Sequence, residues 1–225
     1  MRDPIEDGAD LPAEPEIDEA ARRPLIAILR GVEAAEAAGI AEAILAAGIE
    51  RIEVPLNSPD PYESIEAIVA AVGQRALVGA GTVLTMEQVA HVHRVGGRMI
   101  VSPNADGDVI RAARALGMSA WPGALTPTEC FAALAAGATG LKIFPAGMLG
   151  TGGLKALRAV LPYETEIYAV GGVGPADFGA WMAAGATGFG LGSSLYAPGA
   201  AAEEVGARAA EAVAAWDAAL AAREA

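Results

Sequence analysis

Ala135-Ala136-Gly137-Ala138-Thr139-Gly140-Leu141 and Ala183-Ala184-Gly185-Ala186-Thr187-Gly188-Phe189 agree at six of seven positions. Each closes an Ala-rich helical stretch on a glycine, the residue that takes a left-handed helix-ending conformation at least cost, and runs straight into an apolar segment. The same junction recurs in weaker form at Gly48, Gly96 and Gly117. Helix, glycine, strand is therefore the repeating unit, and its period of roughly 20 to 25 residues suits parallel βαβ units. Working outward from these junctions, strands are expected at 25–29, 51–55, 77–80, 98–101, 118–121, 140–144, 166–170 and 188–191. Eight such units close into a (β/α)8 TIM barrel, with the Ala-rich stretch 202–222 as the last helix. An open doubly wound sheet is the alternative. It would leave two edge strands, and no Gly-x-Gly-x-x-Gly follows the first strand.

The chain has 225 residues, 53% of them hydrophobic, and carries a net charge of −13. That suffices for one well-buried domain and argues against adhesion to nucleic acid or an anionic membrane, both of which would repel it. Much of the charge is local, since residues 1–20 hold eight carboxylates against Arg2. With Pro12 and Pro15 and few large apolar groups, residues 1–22 read as an acidic, loosely ordered extension before a single barrel domain at 23–225. The chain shows neither a signal-like start nor an uninterrupted apolar span, so a cytoplasmic protein is expected. Cys130, the one cysteine, sits in a helical pattern and reads as a packing residue; it provides neither a disulfide nor a cysteine zinc cluster.

In such barrels the reacting groups stand at the C-terminal ends of strands. Lys142 lies in Leu141-Lys-Ile-Phe-Pro145, and it is one of only two lysines beside thirteen arginines. Where this chain places positive charge it otherwise uses arginine. Lysine offers what arginine cannot, an amine that loses its proton when desolvated and then attacks a ketone. Glu53, in Arg51-Ile-Glu-Val-Pro55, is the matching acid in the second strand. It is either a buried ion partner of Lys142 or Arg30 or a general base, and the two roles are compatible. Arg30 ends the first strand and could fork onto a carboxylate; a solvent-facing arginine is the plain alternative. Thr82 ends the third strand beside glycines that would let a ligand approach the backbone.

The last two strands end in Ala169-Val-Gly-Gly-Val173 and Gly190-Leu-Gly-Ser-Ser194. Glycine loops after strands seven and eight are where barrels of this kind hold phosphate, so Gly171, Gly172, Gly192 and Ser193 are read as a cradle rather than as turn residues. His91 and His93, two apart on a helix, point to different faces and are read as surface positions, not a metal pair. Asp106 and Asp108 are read as helix caps, and Trp121 and Trp181 as packing residues.

Taken together, Leu-Ile-Ala-Ile-Leu-Arg-Gly, Ile-Glu-Val-Pro-Leu-Asn-Ser-Pro, Gly-Ala-Gly-Thr-Val, Ile-Val-Ser-Pro-Asn, Leu-Lys-Ile-Phe-Pro-Ala and Ala-Val-Gly-Gly-Val resemble the KDPG/KHG aldolase family of class I aldolases. The likeness runs in order over residues 23–198. It implies cleavage of a phosphorylated keto-deoxy sugar acid to pyruvate and D-glyceraldehyde 3-phosphate, without metal or organic cofactor, by a homotrimer. By resemblance, Lys142 forms the Schiff base and Glu53 transfers the proton, while Arg30 and Thr82 hold the carboxylate end. Gly171, Gly172 and Ser193 take the phosphate, and Pro103 lines the wall. The gluconate-type members usually carry Arg-Thr where this chain has Asn57-Ser58, and Pro-Thr where it has Ala169-Val170; both departures favour the galactonate epimer. Two rival readings remain: a phosphosugar isomerase or epimerase using Glu53 as base, and a phosphosugar-binding protein without turnover.

Overall fold

The computed structural model describes residues 23–224; the reading of 1–22 as a loose acidic extension lies outside the described residues. Strands and helices alternate as β1 (Leu25–Ile28), α1 (Ala34–Ala46), β2 (Arg51–Pro55), α2 (Pro61–Val72), β3 (Leu77–Gly81), α3 (Met86–Arg94), β4 (Met99–Val101), α4 (Gly107–Ala115), β5 (Ser119–Trp121), β6 (Gly123–Ala124), α5 (Pro127–Ala135), β7 (Leu141–Ile143), α6 (Ala146–Arg158), β8 (Ile167–Val170), α7 (Phe178–Ala183), β9 (Gly188–Leu191) and α8 (Ala202–Glu224). Every pairing is parallel, in the order β5-β4-β3-β2-β1-β9-β8-β7-β6. The two ends of that order are one stretch of chain. Pro122 has no N–H and interrupts the ladder there, so the expected fifth strand appears as two segments. Ser102 N donates to Trp121 O on one side (3.1 Å), and Lys142 N to Pro122 O on the other (2.9 Å). The ring closes through this broken strand, giving the eight-position (β/α)8 barrel.

Local chemistry explains where the helices start and stop. Thr85 and Thr126 form capping boxes with Gln88 and Glu129, and Asp106 Oδ1 accepts from the N–H groups of Asp108 and Val109, each satisfying amides that a first turn leaves bare. The junction glycines 48, 96, 117, 137 and 185 all have φ between +72° and +108°, the left-handed closure expected of them.

Two hydrophobic cores result from strand alternation. One lies between barrel and helices and takes Leu25, Ala27, Ile52, Val78, Ile143 and Ile167 together with the buried helix faces. The other fills the barrel with Ile26, Ile28, Met99, Val101, Trp121, Tyr168 and Val170. Trp121 meets Tyr168 edge-on there (ring centroids 5.8 Å apart) and Trp181 belongs to the outer core, so both pack as expected. Cys130 is buried in α5, its thiol pushed up to about 11 by burial. The two histidines are half-buried rather than fully at the surface; His91 stacks on the Tyr62 ring, with centroids 3.6 Å apart. No helix among the described residues is long and apolar enough to cross a membrane.

Candidate functional site

The second residue of β7 and the third of β2 point into the inner core, and they are Lys142 and Glu53. Glu53 is 1% exposed and Lys142 6%. Both border one small void, walled otherwise by Ile26, Ile28, Val101, Trp121, Tyr168 and Val170. Apart from the Tyr168 hydroxyl and the Trp121 indole N–H, that wall is apolar. Burial accordingly pushes the Glu53 carboxyl above its ordinary range, against the pull of the Lys142 and Arg30 charges. Burial likewise holds the Lys142 amine below its ordinary value; Arg30 adds to this and Glu53 opposes it. Both groups are displaced towards their neutral forms. A neutral amine is a nucleophile, and a carboxyl whose pKa is raised by burial holds a proton more readily than an ordinary carboxylate and can exchange it with a substrate hydroxyl.

Glu53 reaches this position because position 81 carries no side chain. Its Oε2 has no hydrogen-bond partner, and a Cβ built on Gly81 would overlap that oxygen. The Lys142 amine lies over the Phe144 ring, with Nζ 5.0 Å from the ring centroid. Phe144 is two residues on and therefore on the same face.

Above the pair opens a cavity of about 420 Å3, within the range of small-molecule sites. Lys142 forms its floor, and Arg30, Gly171, Gly172, Gly174, Gly192, Ser193 and Ser194 form its wall. The loop after β8 turns through two consecutive left-handed glycines, Gly171 at φ +88° and Gly172 at φ +76°. The Phe144 ring would stand 3.2 Å from a Cβ on Gly171, whereas a Cβ on Gly192 would meet nothing within 4 Å. After β9 the chain makes a single helical turn, Leu195 N and Tyr196 N both bonding Gly192 O at 2.9 Å. The amides of Ser193 and Ser194 begin that turn, the position from which helix starts receive anions.

Lys142, Arg30, Gly171, Gly172, Gly192 and Ser193 thus share one cavity, with Glu53 directly beneath it. Thr82 and Pro103 follow β3 and β4 on the other side of the rim, and neither lines the cavity. Thr82 has φ +56°, a conformation that costs a β-branched residue energy and that clusters at functional sites. Sequence reasoning passed over Phe144, Gly174 and Ser194. Phe144 was within reach of the two-residue strand period from Lys142; nothing distinguished Ser194 from any turn serine.

A parallel barrel with a desolvated amine and a carboxyl beneath a glycine-rimmed cavity is equipped as an enzyme acting beside a carbonyl group. Residues 17–210 match the family model of KDPG and KHG aldolase, and the chain belongs to that family; it is an aldolase of the class I kind. Among its relatives, the chain is 54% identical over 196 residues to the probable 2-dehydro-3-deoxy-6-phosphogalactonate aldolase of Rhizobium meliloti, covering 87% of this chain and 92% of that one. It is 49% identical over 193 residues to the 2-dehydro-3-deoxy-6-phosphogalactonate aldolase of Escherichia coli K12, covering 86% and 94%. A solved structure of native KDPGal superposes with a TM-score of 0.86 at 48% identity, covering 88% of this chain and 96% of that one.

Proposed function

We propose that this chain cleaves 2-dehydro-3-deoxy-6-phospho-D-galactonate to pyruvate and D-glyceraldehyde 3-phosphate through an imine on Lys142. The observation that carries the reading is the pairing of Lys142 with Glu53 around one void under a cavity rimmed by the Gly171–Gly172 and Gly192–Ser193 loops. The Lys142 amine adds to the C2 ketone and water leaves, giving an iminium that withdraws electrons from C3. Glu53 takes the proton of the C4 hydroxyl, the C3–C4 bond breaks into the iminium, and the aldehyde departs. The enamine left on Lys142 regains a proton at C3, and water releases pyruvate and the free amine. No metal or organic cofactor enters this scheme.

At the far end the two glycine loops and Ser193 receive the phosphate, since bare amides at turn starts favour anions. Arg30 grips the substrate carboxylate, with Thr82 and Pro103 closing the wall once the substrate spans the rim. Val170 lines the cavity immediately before the cradle. A valine there offers the C4 hydroxyl no hydrogen bond, which supports the galactonate epimer as the preferred one; the discrimination available from an apolar wall is modest, about 10- to 200-fold. The relatives named above support the same substrate. We place the protein in the cytoplasm as a homotrimer, on its family resemblance.

Released pyruvate, measured side by side from the two 6-phosphorylated C4 epimers, tests the assignment. Faster turnover of the galactonate form is expected. Equal rates would overturn the epimer preference, and absence of pyruvate from both would move the reading to an isomerase that uses Glu53 alone. Light scattering checks the trimer.

A further inference from the structure

Arg30 leaves β1 as an exposed cation, and an unheld guanidinium would be spread over many rotamers. It is held: Nη1 donates to Asn57 Oδ1 at 2.5 Å. One residue further along both loops the tie is repeated, Gly31 N donating to Ser58 Oγ at 2.9 Å. Ser58 is buried, and its own N–H donates to Pro55 O at 2.9 Å, which fixes the loop to the end of β2. From the other flank, Pro198 presses on the turn, its Cγ standing 2.8 Å from where a Gly31 Cβ would be. The Arg30–Gly31 turn is therefore gripped from two sides.

The acceptor that holds Arg30 is an uncharged amide. A carboxylate at 57 would hold the guanidinium as firmly but would cancel its charge. Among the described residues no carboxylate lies within 4.0 Å of Arg30. No contacting carboxylate neutralises it, so its charge is available to an anion in the cavity that Arg30 lines.

We propose that Asn57 is the positioning residue of the substrate clamp: its side-chain carbonyl fixes the Arg30 guanidinium against the cavity wall without neutralising it. The proposal rests on the reading of Arg30 as the group that grips a substrate anion. Asn57 touches Arg30 and acts only through it.

The test is a double-mutant cycle of Arg30→Ala and Asn57→Ala, with pyruvate release as the readout. Arg30→Ala is expected to raise KM by about 100-fold and Asn57→Ala by about 10-fold, with kcat little changed, as fits the loss and the loosening of a charge-assisted contact. In the Arg30→Ala background the Asn57 change should cost nothing further. Asn57→Asp keeps the acceptor and cancels the charge, so it should raise KM as well. It should also move the acid limb of kcat/KM to higher pH, as Arg30→Ala does, because Arg30 is one of the groups holding the Lys142 amine low. An Asn57→Ala penalty that persists without Arg30, or an unchanged KM in Asn57→Ala beside a raised one in Arg30→Ala, overturns the positioning role alone. An unchanged KM in Arg30→Ala overturns the clamp and the positioning role together, while pyruvate release in the same assay keeps the lyase reading separate.

Discussion

The two sides of the barrel mouth are built differently from the same kind of residue. After β9 a glycine opens space: Gly192 could carry a Cβ without meeting anything within 4 Å, and it borders the cavity. Along β3 they remove space instead. Gly81 yields its volume to the Glu53 carboxylate of β2, and Gly79 yields its own to the Met99 backbone of β4. One side is a receptacle and the other a support that holds a buried acid in place. The open cavity and the buried acid are thereby separated in the fold, and Lys142 on β7 borders both. Lys142 and Glu53 lie between a wall that leaves open space and one that leaves little.

The largest effect should come from the residue that belongs to both sides. Lys142→Arg keeps a positive charge and removes the ionisable amine, so turnover should fall by at least about 10^4-fold, a loss on the scale seen when a covalent nucleophile is removed. Borohydride reduction in the presence of pyruvate should add a pyruvate-derived mass to Lys142 in the unaltered protein and none in the variant. A fully active Lys142→Arg protein would remove the imine from the reading.

A matched pair of alanines breaks or sharpens the comparison itself. Gly81→Ala drives a methyl into Glu53 and must displace the carboxylate or the β3 backbone, so it should lower kcat by about 100-fold or more and destabilise the fold by about 1–3 kcal/mol. Gly192→Ala meets no atom, so melting should be unchanged while KM for the phosphorylated substrate rises. Thermal melts beside steady-state kinetics separate the two. Equal losses of stability would mean that both loops are supports.

Much of this was legible in the sequence because the signals were local. Strand positions followed from apolar runs bounded by left-handed glycines, and Lys142 and Glu53 stood out as charges inside such runs. What escaped was set by distant contact. β6 is only Gly123–Ala124, with no apolar run to mark it, and it exists because Pro122 splits a strand that must still bond to β7. Asn57 is 27 positions from Arg30 in the chain, and no spacing rule links two loops that meet only when β1 and β2 pair. Thr82 was named from the end of its strand and Pro103 from the family resemblance, yet the cavity lies towards β1, β8 and β9. A strand end marks the rim without saying which part of the rim is hollow.

The buried ionisable pair should also weigh on stability. Glu53 has a folded pKa raised by burial; its contribution is favourable below the unfolded carboxyl value of about 4.3 and is lost as pH rises through the folded value. Lys142 has a lowered one; its contribution is favourable above about 10.4 and is lost as pH falls through the folded value. Both contributions therefore fall as pH moves towards neutrality, the carboxyl's from the acid side and the amine's from the alkaline side. Replacing both, as Lys142→Met with Glu53→Gln, should abolish activity and raise stability by about 1–4 kcal/mol in urea titrations at pH 7. A less stable double variant would show that the pair holds the barrel together and does not merely burden it.

The smallest effect expected is at Thr82, and it asks whether the supporting side carries strain of its own. Thr82 holds φ at +56°, where the Cβ of an L-residue crowds the backbone and costs on the order of 1 kcal/mol. Its neighbour Val83 is fixed on both faces, its N–H donating to Val101 O at 3.3 Å and its carbonyl accepting from Ser102 Oγ at 2.8 Å. The turn is thus imposed by its surroundings rather than chosen by the threonine. Thr82→Gly removes the crowding and the hydroxyl together. If the residue is kept for contact with substrate, that variant should melt no earlier than the unaltered protein, offset only by the greater freedom of glycine in the unfolded chain, while its KM rises about 3- to 10-fold, as for one lost neutral hydrogen bond. A lower melting temperature with unchanged KM would assign Thr82 wholly to the support, and the β3 side of the rim would then contribute nothing to the substrate beyond the position of Glu53.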